Sequence, residues 1–177
     1  MEEMALRDPR TGTPPVATLY TPEERRRRDS SPWTLVQGVL APVQFLVFLA
    51  SVFLVLRFLQ TGAGETAATV SIVAKTLILY LIMVTGAIWE KVVFGRYLFA
   101  PAFYWEDVFS MLVLALHTAY LVALATDALG VTGRMYLALA AYATYVINAA
   151  QFLLKLRAAR LDQRRLGGVL QTGWVRP

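Results

Sequence analysis

Four long apolar stretches separated by short polar connectors set the pattern of this 177-residue chain. The first runs from about Leu35 to Leu59 and is interrupted only by Gln37, Gln44, Ser51 and a terminal Arg57. The second covers about Ala67 to Phe94, holds Lys75 within it and closes on Trp89-Glu90-Lys91. The third, about Phe103 to Thr126, opens with Trp105-Glu106-Asp107 and carries His117. The fourth, about Met135 to Leu156, contains Asn148 and Gln151. Crossing a bilayer core takes roughly 20 apolar residues, so each stretch has the length of a transmembrane helix. Backbone polar groups in lipid must be satisfied within the segment, and a helix does this. Pro42 should kink the first span, with its freed carbonyl met by neighbouring groups.

Ahead of the first span, Thr21-Pro22-Glu23-Glu24 has the signature of a helix start: a Thr N-cap, Pro in the first turn and acids against the dipole. This short helix should end near Asp29-Ser30-Ser31-Pro32 and lie on the membrane surface. The predicted fold is therefore all-α: a polytopic membrane protein with four transmembrane helices in a bundle and a short N-terminal surface helix. Residues 1–20, polar and rich in Pro, Gly and Thr, are expected to be a disordered extension. Residues 21–161 form the membrane domain and 162–177 a basic tail.

Composition supports this reading. The chain is 57% hydrophobic and only 16% charged, with a mean hydropathy of +0.52, far too little charge for the surface of a soluble domain. The formal net charge of +5 matters less than its placement. Arg25 to Arg28 precede the first span, Lys91 and Arg96 lie between the second and third, and Lys155, Arg157, Arg160, Arg164 and Arg165 follow the fourth. The positive-inside rule then puts both termini in the cytoplasm, with basic tails against an anionic membrane face. The tails lack interleaved aromatics and any binding module, which argues against nucleic acid as a partner. No apolar h-region follows the start, so no signal peptide is expected. Cysteine is absent, which excludes disulfides, iron–sulfur clusters, zinc–thiolate sites and thiol nucleophiles.

Ionisable residues within the spans are the candidates for chemistry, because a charge in the bilayer core costs at least about 2.5–3.5 kcal/mol. Glu106, Ser110, Val113 and His117 recur at helical spacing and share one face of span three, with His117 about 16 Å deeper than Glu106. Asp107, rotated by about 100°, should face another helix. Glu90 and Lys91 end span two near the same level. Three carboxyl groups at one depth repel one another, which suits the retention of a proton for general acid work. Equally, Lys91, Arg96 or Lys155 could pair with them in a structural ion network. Glu106 and Asp107 also fit a plain interfacial helix start.

His117, the only histidine, cannot build a zinc site alone. It fits an interhelical hydrogen bond, an axial ligand to a metallated macrocycle, or a proton carrier. Asn148, Gln151 and Lys155 share one face of span four, as interhelical amide contacts do. Lys75, about 12 Å inside span two, is expected to snorkel outward, the other reading being an acidic partner or substrate carboxylate. Trp33, Trp89, Tyr97, Phe103, Tyr104 and Trp105 mark an interface or floor a pocket for a flat ligand.

Several strings go further. Ser31-Pro32-Trp33-Thr34-Leu35-Val36-Gln37-Gly38, Gly86-Ala87-Ile88-Trp89-Glu90-Lys91, Trp105-Glu106-Asp107-Val108-Phe109-Ser110, Leu116-His117-Thr118-Ala119-Tyr120 and Tyr145-Val146-Ile147-Asn148-Ala149 resemble the 3-vinyl (bacterio)chlorophyllide hydratases of bacteriochlorophyll biosynthesis. The resemblance covers about Tyr20 to Leu161. It implies a hydro-lyase of a bacterial inner membrane, cytoplasmic or intracytoplasmic, acting on chlorophyllide a or 3-vinyl bacteriochlorophyllide a. Water would add across the C3 vinyl group to give a 1-hydroxyethyl group, which a later dehydrogenase oxidises to acetyl. No dissociable cofactor is implied, and magnesium enters only as part of the substrate macrocycle. Besides the bilayer, neighbouring pigment-biosynthesis enzymes are candidate partners.

On this reading Glu106 or Glu90 is the expected proton donor, and Asp107 orients or deprotonates the water. His117 is the expected magnesium ligand, Lys91 or Arg96 pairs with the free propionate, and Trp89 and Trp105 contact the macrocycle. Two other readings stand beside it. A non-catalytic chlorophyllide carrier or assembly factor would use the same histidine and aromatics. A proton-coupled transporter would use Lys75, Glu90 and His117, though four spans without an internal repeat speak against it.

Overall fold

The structure, a computed structural model, describes residues 19–172, with side chains described for 19–161. The expected disordered extension, apart from its last two residues, and the side chains of the expected basic tail lie outside the described residues. Five helices follow in order: α1 Pro22–Ser30, α2 Pro32–Thr61, α3 Glu65–Phe94, α4 Tyr104–Ala125 and α5 Gly130–Thr172. No strand occurs among the described residues.

The helix boundaries have local causes. Thr21 Oγ1 accepts from Glu24 N at 3.2 Å, and Glu24 Oε2 accepts from Thr21 N at 2.8 Å, a reciprocal capping box that starts α1. Ser31 caps α2 by accepting from Trp33 N at 3.3 Å, with Pro32 at the first helical position. α2 runs on through Pro42 without a break in its helical assignment. α2 and α3 each end on a glycine in the left-handed region, Gly62 at φ 71° and Gly95 at φ 80°, where a side chain would be strained. The turn between α4 and α5 puts Asp127 and Leu129 in that same region without being glycine. Asp127 anchors it by accepting from Arg134 at 2.6 Å. α5 continues to Thr172, across the point where the sequence reading divides span from tail. Leu156 to Leu166 contains strong helix formers and no Pro or Gly, so nothing local stops the helix.

Four helices are long and apolar enough to cross a membrane: Pro32–Thr61, Glu65–Phe94, Tyr104–Ala125 and Gly130–Leu161, with hydropathies of 2.6, 2.1, 2.1 and 1.5. Their outward faces carry exposed Leu46, Leu49, Phe53, Leu77, Leu81, Val122 and Leu153, while Gln44, Ser51, Lys75, Thr76, Glu90, Ser110, His117 and Asn148 are buried. An exterior more apolar than the interior is the arrangement a lipid solvent selects. The chain is a multi-pass membrane protein.

The bundle is two hairpins. α2 packs along α3 and α4 along α5, while the α2–α5 and α3–α4 contacts that join the hairpins are much thinner. The surface helix α1 rests on α3. One apolar core, built on Phe48, Val55, Ile72, Tyr120, Met135 and Tyr142, lies toward the end away from α1. Small residues, Ala68, Ala138 and Ala141, are fully or almost fully buried and let the helices approach closely. A second cluster of Tyr20, Val93 and Phe103, with Trp89, Phe94 and Phe152 against it, closes the α1 end. Polar side chains occupy the layer between them.

Candidate active site

At the α1 end the connector 95–103 folds back over the ends of α3 and α4. Two consecutive backbone amides of this loop point at carboxyl groups. Phe99 N donates to Asp107 Oδ2 at 2.7 Å, and Ala100 N donates to Glu90 Oε2 at 3.3 Å. Phe99 itself sits at φ 59°, a conformation rare for a bulky residue, and it is a marker of a functional constraint. Glu90 and Asp107 also lie within hydrogen-bonding reach of each other. Both residues are buried, as is Glu106.

Glu106 takes a different partner. Its Oε2 accepts from Lys155 Nζ at 2.6 Å, and the ammonium also lies 5.0 Å from the Phe103 ring centroid. The three carboxyl groups expected at one level are thus divided: one is ion-paired across α4 and α5, and two face each other across α3 and α4. Tyr20, Trp89, Phe94, Phe103 and Phe152 stack over this level with ring centroids 5.7–6.4 Å apart. Burial pushes the Tyr20 phenol up, with Arg28 pulling it back, so its hydroxyl stays protonated at neutral pH.

Deeper along the same face of α4, Ser110 Oγ accepts from Asn148 Nδ2 at 2.7 Å, the interhelical amide contact expected from span four. His117 is 1% exposed. Its Nδ1 lies 2.8 Å from the Val113 carbonyl; a carbonyl only accepts, so Nδ1 carries the hydrogen and Nε2 presents a lone pair. That Nε2 is buried with no hydrogen-bond partner among the described residues, as are Gln44 Oε1, Asn148 Oδ1, Gln151 Oε1 and Lys75 Nζ.

Lys75 does not snorkel. It is 0% exposed, and its ammonium lies 3.9 Å from the Tyr145 ring centroid. The reason is its register: Ala68, Ile72, Lys75, Thr76 and Leu79 form the buried stripe of α3, so the stem starts inside the bundle. A lysine can reach the interface only along an exposed face.

The remaining expected residues lie outside this interior. Lys91 Nζ donates to Gly95 O at 2.9 Å and sits 5.3 Å from the Tyr97 ring. Lys91 and Arg96 are exposed; among the described residues Lys155, not either of these, pairs with a carboxylate at this level. Trp89 Nε1 donates to Thr34 Oγ1 at 3.0 Å, tying α3 to α2, while its ring joins the aromatic cluster. Trp105 is 67% exposed and packs edge-on against Tyr104, away from the carboxyl pair. Sequence reasoning missed the amides of Phe99 and Ala100, since a backbone donor leaves no trace in residue identity. It also gave Gln44 no role, although Gln44, Phe48, Ser51 and Val55 form a buried helical stripe that the spacing alone could have revealed.

Comparison with known proteins agrees with the resemblance in the sequence. The family model for 2-vinyl bacteriochlorophyllide hydratase (BCHF) matches residues 20–158. The 2-vinyl bacteriochlorophyllide hydratase of Rhodobacter capsulatus is 70% identical over 144 residues, covering 81% of this chain and 84% of the relative. That of Cereibacter sphaeroides is 66% identical over 155 residues, covering 87% of this chain and 96% of the relative. No solved structure matches the chain. A family match over nearly all of the described membrane domain, with two relatives at this identity, leaves one assignment: the chain belongs to the 2-vinyl bacteriochlorophyllide hydratase family.

Proposed function

We propose that this chain is a membrane hydro-lyase that adds water across the vinyl group of a bacteriochlorophyllide-type macrocycle, as the names of its relatives describe for them. The observation that carries the chemistry is the buried Glu90–Asp107 pair, two carboxyls within hydrogen-bonding reach, each held by a loop amide. The substrate class is chlorophyllide a or a 3-vinyl bacteriochlorophyllide, and the product carries a 1-hydroxyethyl group.

The reaction needs an acid, a positioned water and a base. Glu90 protonates the terminal vinyl carbon, which leaves the positive charge on the carbon attached to the ring, delocalised into the macrocycle. Water forms its bond there and gives up a proton to Asp107, so the pair starts and ends with one proton between them. Glu106, ion-paired to Lys155, is the less suitable donor. Its fixed negative charge is suited to stabilising the developing cation. His117, with its Nε2 lone pair turned into the bundle, is the ligand for the magnesium that the substrate brings. No dissociable cofactor enters this scheme. The positive-inside distribution of arginine and lysine puts the carboxyl end at the cytoplasmic face of a bacterial inner membrane.

Membranes from a host without pigment synthesis, expressing the chain and supplied with chlorophyllide a, should yield a pigment heavier by one water on mass spectrometry. Pigment bound without any change of mass, with the bacteriochlorin offered as well, would instead identify a carrier.

A further inference from the structure

The proton chemistry leaves the deeper polar layer unused. Lys75 and Gln44 come from the α2–α3 hairpin, and His117, Asn148 and Gln151 from the α4–α5 hairpin. All five contribute a buried polar atom with no partner among the described residues. The seam between the hairpins is thin. Lys75 reaches across it to Tyr145 on α5, and Phe48, one turn from Gln44, packs on Tyr142 and Tyr145. His117 packs on Tyr142.

Of these groups Lys75 is the most demanding. An ammonium in a membrane interior without a counter-ion is costly, and the Tyr145 ring offsets only part of that. None of the ion pairs among the described residues involves it. An anion arriving with a ligand would supply the missing counterpart. A chlorophyllide is a free acid, so its propionate supplies one carboxylate at the edge of the ring.

We propose that Lys75 is the specificity residue of this protein, pairing inside the bundle with the free carboxylate of the macrocyclic substrate. The inference rests on the hydratase reading for the identity of the ligand. It sets the substrate's direction. The vinyl and propionate groups are carried by neighbouring pyrroles but sit well apart on the rim of the ring, so a carboxylate at Lys75 turns the vinyl group away from it, toward Glu90 and Asp107. Along α3, Lys75 and Glu90 are separated by about 22 Å of helix rise, which two reaching side chains and a macrocycle with both substituents can bridge. This reverses the sequence-based expectation that the propionate faces water beside Lys91 or Arg96, both of which are exposed.

The test is an absorbance titration of the purified full chain in detergent with chlorophyllide a and with its propionate methyl ester. Wild type is expected to bind the acid at least about 30-fold more tightly, the penalty of removing one partner from a buried charge pair. Lys75→Met should erase that preference by weakening the acid alone, and Lys75→Arg should keep most of it. A Lys91→Met/Arg96→Met double variant should leave it unchanged. Equal binding of acid and ester by wild type would overturn the proposal whether or not Lys75→Met folds. Loss of the preference in the Lys91/Arg96 variant would do the same. Hydration assayed in parallel separates the two readings. A preference for the acid without turnover refutes the hydratase and leaves Lys75 in place. Equal binding and hydration of both pigments refute Lys75 and leave the hydratase.

Discussion

At the α1 end, the buried carboxyls of Glu90, Glu106 and Asp107 all find partners within the protein: a loop amide, a lysine or each other. Deeper in the bundle, His117 Nε2, Lys75 Nζ and Gln44 Oε1 find none among the described residues. Both layers are equally withdrawn from solvent, so burial does not separate them; satisfaction does. A satisfied buried network is rigid and holds its groups in one geometry, which a proton donor needs. An unsatisfied one costs free energy in the empty protein and recovers it when a ligand brings the missing partners. The contrast divides the buried polar groups of the bundle into one set closed on itself and one with atoms that lack partners among the described residues.

Removing the acid should have the largest effect. Glu90→Gln/Asp107→Asn is expected to lower the hydration rate by about 10²–10⁴-fold while changing pigment affinity by less than about 3-fold. Single-turnover assays beside absorbance titrations would show it. Intact hydration in this double variant would move the acid elsewhere.

Next comes the ion pair. Lys155→Met leaves Glu106 buried beside apolar neighbours and should cost about 2–4 kcal/mol of stability, read as a fall in the midpoint of thermal unfolding in detergent. Adding Glu106→Gln should restore much of that loss, because no uncompensated charge then remains. A destabilisation that the second change fails to relieve would mean Lys155 acts through its packing on Phe103.

In the deeper layer the signature should invert. His117→Leu removes an unpartnered Nε2 from an apolar surround, so stability should hold or rise slightly. Pigment affinity should fall by about 10–100-fold, with a shifted absorption band for whatever pigment still binds. Unchanged affinity and spectrum would remove His117 from the site.

The smallest effect expected is at Thr34, which accepts from Trp89 and donates to Arg28 O at 2.6 Å. Thr34→Val should cost about 1–2 kcal/mol of stability and leave the preference for free acid over ester intact. Loss of that preference would show that the aromatic roof and the deeper layer are one unit.

Much of this was readable in the residues themselves. Hydropathy placed the first three spans within a few residues of α2 to α4 and found the fourth but ended it well short of the end of α5, and Thr21-Pro22-Glu23-Glu24 marked the start of α1, because helix formation and capping are local. The shared face of Glu106, Ser110 and His117 follows from helical period alone. The strings around Trp89-Glu90-Lys91 and Trp105-Glu106-Asp107 carried the family. Pairing was not readable. Lys91, Arg96 and Lys155 stood as equal candidates to meet the carboxyls, and only Lys155 does, because the choice depends on how α5 is rotated against α4. Lys75 was expected at the surface and is enclosed, because the rotation of α3 in the bundle decides whether a lysine stem begins in lipid or among helices.

What the sequence by itself determined is therefore the number, length and capping of the helices and the residue types available for chemistry, each governed by interactions within a few turns of chain. The tertiary structure decided which carboxyl keeps an ion pair, which two are held by adjacent amides of one loop, and which polar atoms remain without partners among the described residues. Those are contacts between helices far apart in the chain. Their energies depend on distances and burial that a lipid-facing hydropathy pattern, nearly uniform around each helix, does not encode.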